Sequence, residues 1–207
     1  MLKTFYQSAE EKNIDISLDI KEKLPDIYAD IRRIEQIFTN LVSNSLKFTS
    51  SNGKIDIQAS IVNASDIEAD KIIFPKTKPS GNYIMVSVAD TGIGMKEEDI
   101  PKIFDKFSQI ESSLNRNTGG VGLGLTITKR FIDAHLGLIA VTSKEHEGST
   151  FTVYVPIYDE FKVFVMNLSK AIVKGEVGIF KILYKNSDSD LIDTLKEQKI
   201  KIGRAHV

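Results

Sequence analysis

Gly119-Gly120-Val121-Gly122-Leu123-Gly124-Leu125 runs directly into Thr126-Ile127-Thr128-Lys129-Arg130-Phe131-Ile132, and the spacing predicts a helix over 123–136. Free N–H groups and the positive dipole end at such a helix start bind phosphate, and glycine removes the side chains that would block the approach. The run lacks the GK[ST] ending of a P-loop. Its glycine spacing fits GxGxxG poorly and no strand precedes it, so both common nucleotide-binding folds are disfavoured.

Working upstream, Ser108 to Thr118 is polar with neither helical nor strand period and reads as a flexible lid. Before it come an aromatic cluster at Phe104-Asp105-Lys106-Phe107, a short acidic helix, and Asp90-Thr91-Gly92-Ile93-Gly94-Met95 at the end of a strand over 82–89. Lys54 to Val62 reads as another strand, joined to 82–89 by a long polar connection with Pro75, Pro79 and Gly81 that we expect to be a mobile surface loop. Asp30 is a candidate N-cap, and apolar positions Ile34, Ile37, Phe38, Leu41, Ser45 and Phe48 follow at helical spacing, ending near Ser50-Ser51-Asn52-Gly53. Ile14, Ile16, Leu18 and Ile20 alternate as in a half-buried strand, and residues 1–12 read as the end of a helix. Downstream, strands over 138–143 and 149–157 close the domain near Pro156. Helices mixed with hairpin-connected strands predict an α/β sandwich, with helices on one face of a mixed, mainly antiparallel sheet, rather than a doubly wound sheet.

Composition narrows the function. The 207 residues carry 27 Lys and Arg against 28 Asp and Glu, which argues against nucleic-acid or anionic-membrane binding by bulk charge. With no Cys and three scattered His, a disulfide framework, a thiol nucleophile and a multi-histidine metal site are excluded or disfavoured. No apolar run approaches the roughly 20 residues that span a bilayer, and the start has no signal-peptide stretch, so the chain as given is expected to be soluble. Residues 161–207 carry nine Lys or Arg and five acids, and the charge balance therefore changes near residue 160.

On the helix from Asp30, residues Gln36, Asn40, Asn44 and Lys47 fall in one sector of about 80° beside the apolar stripe. Two Asn a turn apart offer carbonyl oxygens to a hard cation, and the Lys offers an ammonium to phosphate. An ordinary solvated face has the same appearance. Asp90 at a strand end can accept from an exocyclic amine, and Gly92 and Gly94 let the backbone turn beside a flat ligand; an Asp with two Gly is also a common turn.

Taken in order, DIRRIEQIFTNLVSNSLKFT (30–49), DTGIGM (90–95), IFDKF (103–107) and GGVGLGL (119–125) resemble the asparagine, first glycine, phenylalanine and second glycine boxes of the catalytic ATP-binding domain of sensor histidine kinases. GSTFTVYVPI (148–157) fits the same family, and the resemblance covers residues 1 to about 158. It implies a Bergerat-type ATP site. Asn44 would coordinate Mg²⁺ with Asn40 beside it, and Lys47 would reach the phosphates. Asp90 would recognise the adenine amine, with Thr150 beside the base and Gly92 and Gly94 shaping the pocket. Phe104 and Phe107 would anchor the lid, while Gly120, Gly122, Leu123 and Gly124 would close it over the phosphates. Where many members have an Arg after the phenylalanine box, this chain reads Phe107-Ser108-Gln109. FSQIESSLNRNTGG (107–120) resembles hybrid kinases instead, and Arg116 is the lid cation we would choose.

The family's phosphoacceptor is a His on an upstream dimerisation helix, whereas His135, His146 and His206 lie at or beyond the last helix of the nucleotide domain. We read His135 as structural. The resemblance implies that residues 1–12 end a dimerisation helix and 13–158 form the catalytic domain. Residues 159–207 would begin a receiver-like domain, although no acidic pair follows their first strand. Ile202 to Val207 resembles a translated sequencing adapter, which would make the frame truncated and its last six residues artefactual. The implied partners are ATP, the phosphoacceptor domain, and a downstream receiver domain or response regulator, with no nucleic acid, no membrane contact by this chain and a monomeric fragment; the implied location is cytoplasmic, whether or not the full-length protein is membrane-anchored. The rivals are a serine kinase or ATPase of the same superfamily and a non-catalytic nucleotide-binding module.

Overall fold

In the computed structural model the described residues are 2–68, 72–74, 79, 81–105, 108 and 123–157. The chain divides into one compact unit, Met1–Ile157, and a second, Tyr158–Val207, which lies outside the described residues, as do the lid and the terminal segment.

The first unit runs α1 (Leu2–Glu11), β1 (Asp15–Ile20), α2 (Ile31–Phe48), β2 (Lys54–Asn63), β3 (Ile72–Phe74), β4 (Asn82–Asp90), α3 (Gly124–Ala134), β5 (Leu138–Lys144) and β6 (Gly148–Pro156). The strands form one six-stranded sheet in the order β1-β2-β4-β6-β5-β3. Among the described strands, β1 and β2 pair in parallel and the other pairings are antiparallel.

Asp30 caps α2 as its residue type predicts, its carboxylate accepting from the N–H groups of Arg32 at 3.0 Å and Arg33 at 3.3 Å. Ile37, Leu41, Val42, Ser45 and Leu46 form the buried face of the helix. They pack on the sheet positions Ile55, Val88, Val141, Phe151 and Val153, with Ile132 from α3, in the main core. Residues alternate between sheet faces along each strand, so one face of the sheet supplies this core. A smaller cluster of Tyr83, Leu138, Ala140 and Tyr154 is covered by Ile67, and the two Tyr rings meet edge-on at 6.5 Å.

Ile67 and β3 belong to the connection expected to be a mobile surface loop. That expectation is corrected for its described parts: β3 pairs with β5, and Ile67 is buried. Both are non-local contacts that the polar composition of the segment conceals. The alternating strand at 14–20 forms, but Leu18 and Ile20 are 46% and 53% exposed, because β1 is the sheet's edge and pairs only with β2. Helix α3 ends at Ala134, two residues before the expected stop. Leu136 takes a left-handed φ of 53° and the N–H of Gly137 returns to the carbonyl of Ile132 at 2.9 Å, closing the last turn. The short acidic helix is a 3₁₀ segment, Glu97–Lys102, containing Pro101.

Candidate nucleotide site

Three cross-strand rows explain where the site lies. Ala59, Val86, Val153 and Ile139 form one row on the core face, and Ile57, Val88, Phe151 and Val141 form the next. The third row is Ile55, Asp90, Ser149 and Ser143. Its polar end marks where the core gives way to a site, at the end of β4 and beneath the C-terminal half of α2.

Asp90 is half-buried. Its Oδ1 accepts from the N–H of Gly92 at 2.9 Å and its Oδ2 from the hydroxyl of Ser45 at 3.2 Å. Burial pushes its carboxyl above the ordinary value of 3.8, against the opposing pull of the Gly92 N–H, the Ser45 hydroxyl and the Ser149 backbone N–H. A carboxylate oxygen has more than one acceptor direction, so these donors hold Asp90 in place while leaving it capacity for a ligand's amine.

The glycines beside it are dictated by space. A Cβ on Gly92 would stand 2.7 Å from both Asp90 Oδ1 and the Phe48 carbonyl. Gly94 has a left-handed φ of 63°, and a Cβ there would lie 1.9 Å from the carbonyl of Lys144. Gly148, which sequence reasoning missed, is equally constrained, with φ at 110° and the Asp90 carbonyl 1.9 Å from a Cβ.

The polar sector of α2 divides into two roles. Asn40 Nδ2 donates to the carbonyl of Gly124 at 3.0 Å and to Thr128 Oγ1 at 3.2 Å, while Gln36 Nε2 donates to Asn40 Oδ1 at 2.9 Å. Asn40 therefore ties α2 to the first turns of α3. Asn44, one turn on, is half-buried, and its amide makes no hydrogen bond among the described residues. The Lys47 ammonium lies 4.9 Å from the centroid of the Phe48 ring. Leu123 occupies the N-cap position of α3 without a side-chain cap, so the first N–H groups of α3 receive no side-chain acceptor there. Phe104 is buried in the core, and Thr126 Oγ1 bonds its carbonyl at 3.2 Å, fixing the entrance to the lid segment against α3.

Phe107, Arg116, Gly120 and Gly122 lie outside the described residues. Thr150 is placed differently from the expectation. It pairs with Ala89, one register position from Asp90, so its side chain belongs to the opposite face of the sheet; Ser149 is the hydroxyl residue directly opposite Asp90. Among the described residues, no group of three or more His, Cys, Asp or Glu is placed to hold a metal ion.

Residues 29–159 match the family model "Histidine kinase-, DNA gyrase B-, and HSP90-like ATPase", and the chain belongs to that family of ATP-binding domains. Among curated relatives it is 36% identical over 157 residues to the circadian input-output histidine kinase CikA of Synechococcus elongatus, a match covering 75% of this chain and 18% of CikA. The chain spans only 15–18% of the length of the first curated relatives it matches. Among solved structures, the catalytic domain of histidine kinase ThkA is similar at TM-score 0.56 and 28% identity, over 74% of this chain and 86% of that one. Full-length ShkA in complex with AMPPNP is similar at TM-score 0.57 and 30% identity, over 74% of this chain and 28% of that one. The four-box resemblance and the sandwich fold thus agree with the family assignment.

Proposed function

We propose that this chain is the catalytic part of a two-component sensor histidine kinase, presenting Mg²⁺-ATP for phosphoryl transfer to a His on a dimerisation domain outside it. The observation that carries the reading is the Asp90 carboxylate at the end of β4, anchored by the Gly92 N–H and the Ser45 hydroxyl and keeping acceptor capacity, beside a Gly92 that leaves no room for a side chain. The amide oxygen of Asn44 suits a hard cation such as Mg²⁺, which supplies charge neutralisation at the phosphates. Lys47 and the N-terminus of α3 would add positive charge at the phosphates, with Arg116, which lies outside the described residues, as the lid cation of this reading. Such catalysis is positioning and electrostatics, and no residue of this chain need act as a general base. The superfamily ATPases carry Glu where this chain has Asn40, and an Asn committed to α3 offers no base, which disfavours ATP hydrolysis as the main activity.

We read residues 1–12 as the end of a dimerisation helix, 13–158 as the catalytic domain and 159–207 as the start of a receiver-like segment, in a cytoplasmic part of a larger protein. No helix among the described residues is long and apolar enough to cross a membrane. The test is phosphotransfer. The chain is mixed with a dimerisation domain from a related hybrid kinase and labelled ATP, and acid-labile phosphate on that domain's His is expected. ATP binding without any transfer, across several supplied domains, would favour the non-catalytic module instead.

A further inference from the structure

Ser143 is part of no box, yet it ties down the loop that follows Asp90. The Met95 N–H donates to Ser143 Oγ at 2.8 Å, and Ser143 Oγ donates to the carbonyl of Gly148 at 2.9 Å. A serine hydroxyl has one proton. With that proton on Gly148, the 2.9 Å contact between Ser143 Oγ and Ser149 Oγ is one in which Ser149 donates. The Ser143 oxygen is then saturated and has nothing left to offer a ligand.

Its neighbours are the parts that matter. Ser143, Ser149 and Asp90 stand side by side across β5, β6 and β4, and the Ser149 backbone N–H bonds the Asp90 carboxylate. At the other end of the loop, Met95 follows Gly94, which is packed against the Lys144 carbonyl, and the His146 N–H bonds the carbonyl of Ile93 at 2.7 Å. That last link is backbone to backbone. Among the described residues, Ser143 is the side chain whose hydrogen bond spans from the β5–β6 hairpin to the loop.

We propose that Ser143 is a positioning residue for nucleobase recognition, acting through Ser149 and Met95 to hold the Ser149 hydroxyl beside Asp90 and the loop after Asp90 at the spacing an exocyclic amine requires. By accepting the hydrogen bond of the Ser149 hydroxyl, it also leaves that oxygen only acceptor capacity on the side of Asp90, so that both groups favour an amine and disfavour a carbonyl at the same place on the base. This rests on the reading of Asp90 as the adenine acceptor.

The test compares two non-hydrolysable nucleoside triphosphates on the full 207-residue chain, one with adenine and one with purine lacking the 6-amino group. The parent is expected to prefer the adenine nucleotide. Ser143→Ala is expected to reduce that preference by about three- to tenfold, the worth of one to two modest hydrogen bonds, with little change in affinity for the purine nucleotide. Ser143→Thr keeps the oxygen and is expected to restore the preference, and exchange of the Met95 amide is expected to quicken in Ser143→Ala alone. A Ser143→Ala variant that keeps the parent's preference, or weakens both nucleotides equally, overturns the proposal while leaving Asp90 as the acceptor. A parent with no preference overturns the Asp90 reading and the proposal with it.

Discussion

At Asp90 a carboxylate is sunk between Ser45 of α2 and Ser149 of β6, and burial holds its pKa above 3.8 despite three donors. A carboxyl with a raised folded-state pKa binds its proton more readily in the native chain, so its charge costs stability at neutral pH, and that cost fades as pH falls through the folded-state value. Asp90→Asn is therefore expected to unfold at the same or a higher temperature than the parent at pH 7, with the difference shrinking on acidification, while adenine binding is lost. Gly94→Ala behaves in the opposite way: left-handed strain and the clash with the Lys144 carbonyl are expected to cost about 2–4 kcal/mol in chemical denaturation. These two residues were legible in the sequence because a strand-end carboxylate and paired glycines are local signals. Ser143 and Ser149 were not, since their meaning comes from cross-strand register. In Gly148-Ser149-Thr150, register alone decides which residue stands opposite Asp90, and it is Ser149, with Thr150 opposite Ala89.

Among the elements, α2 carries most of the site, and its two ends make separate predictions. At its start, the carboxyl of Asp30 is held below 3.8, chiefly by the Arg33 N–H, so it contributes stability above the ordinary carboxylate range and loses it as pH falls through the folded-state value. Asp30→Ala is expected to lower the melting temperature at pH 7 and to match the parent in acid, a pH trend opposite in origin to that of Asp90. Further along, Asn40→Ala removes both bonds to α3, which is expected to cost about 1–2 kcal/mol of stability. It is also expected to weaken nucleotide binding by displacing the α3 N-terminus, read by thermal unfolding and titration on the same preparation. The helix and its cap were plain from Asp30 and the apolar period. What periodicity left open was whether the polar sector of Gln36, Asn40, Asn44 and Lys47 was an ordinary solvated face or a cation and phosphate site; it gave no sign that the Asn40 amide would be committed to α3. The strand β3 escaped the sequence because three apolar residues beside Pro75 acquire their partner only when β5 is in place.

For the molecule as a whole, helices α2 and α3 cover one sheet face, and the polar row Asp90-Ser149-Ser143 lies at the end of that face where the apolar rows stop. Fold and candidate site are thus one construction: the apolar rows that finish the core end at the proposed adenine acceptor. The measurement that tests this most directly is titration of the chain with a non-hydrolysable ATP analogue, with and without Mg²⁺, for the parent, Asn44→Ala and Asp90→Asn. The account predicts Mg²⁺-dependent binding by the parent, loss of the Mg²⁺ dependence in Asn44→Ala, and loss of binding in a folded Asp90→Asn. A folded parent that binds no nucleotide, or an Asp90→Asn variant that binds as well as the parent, would contradict it.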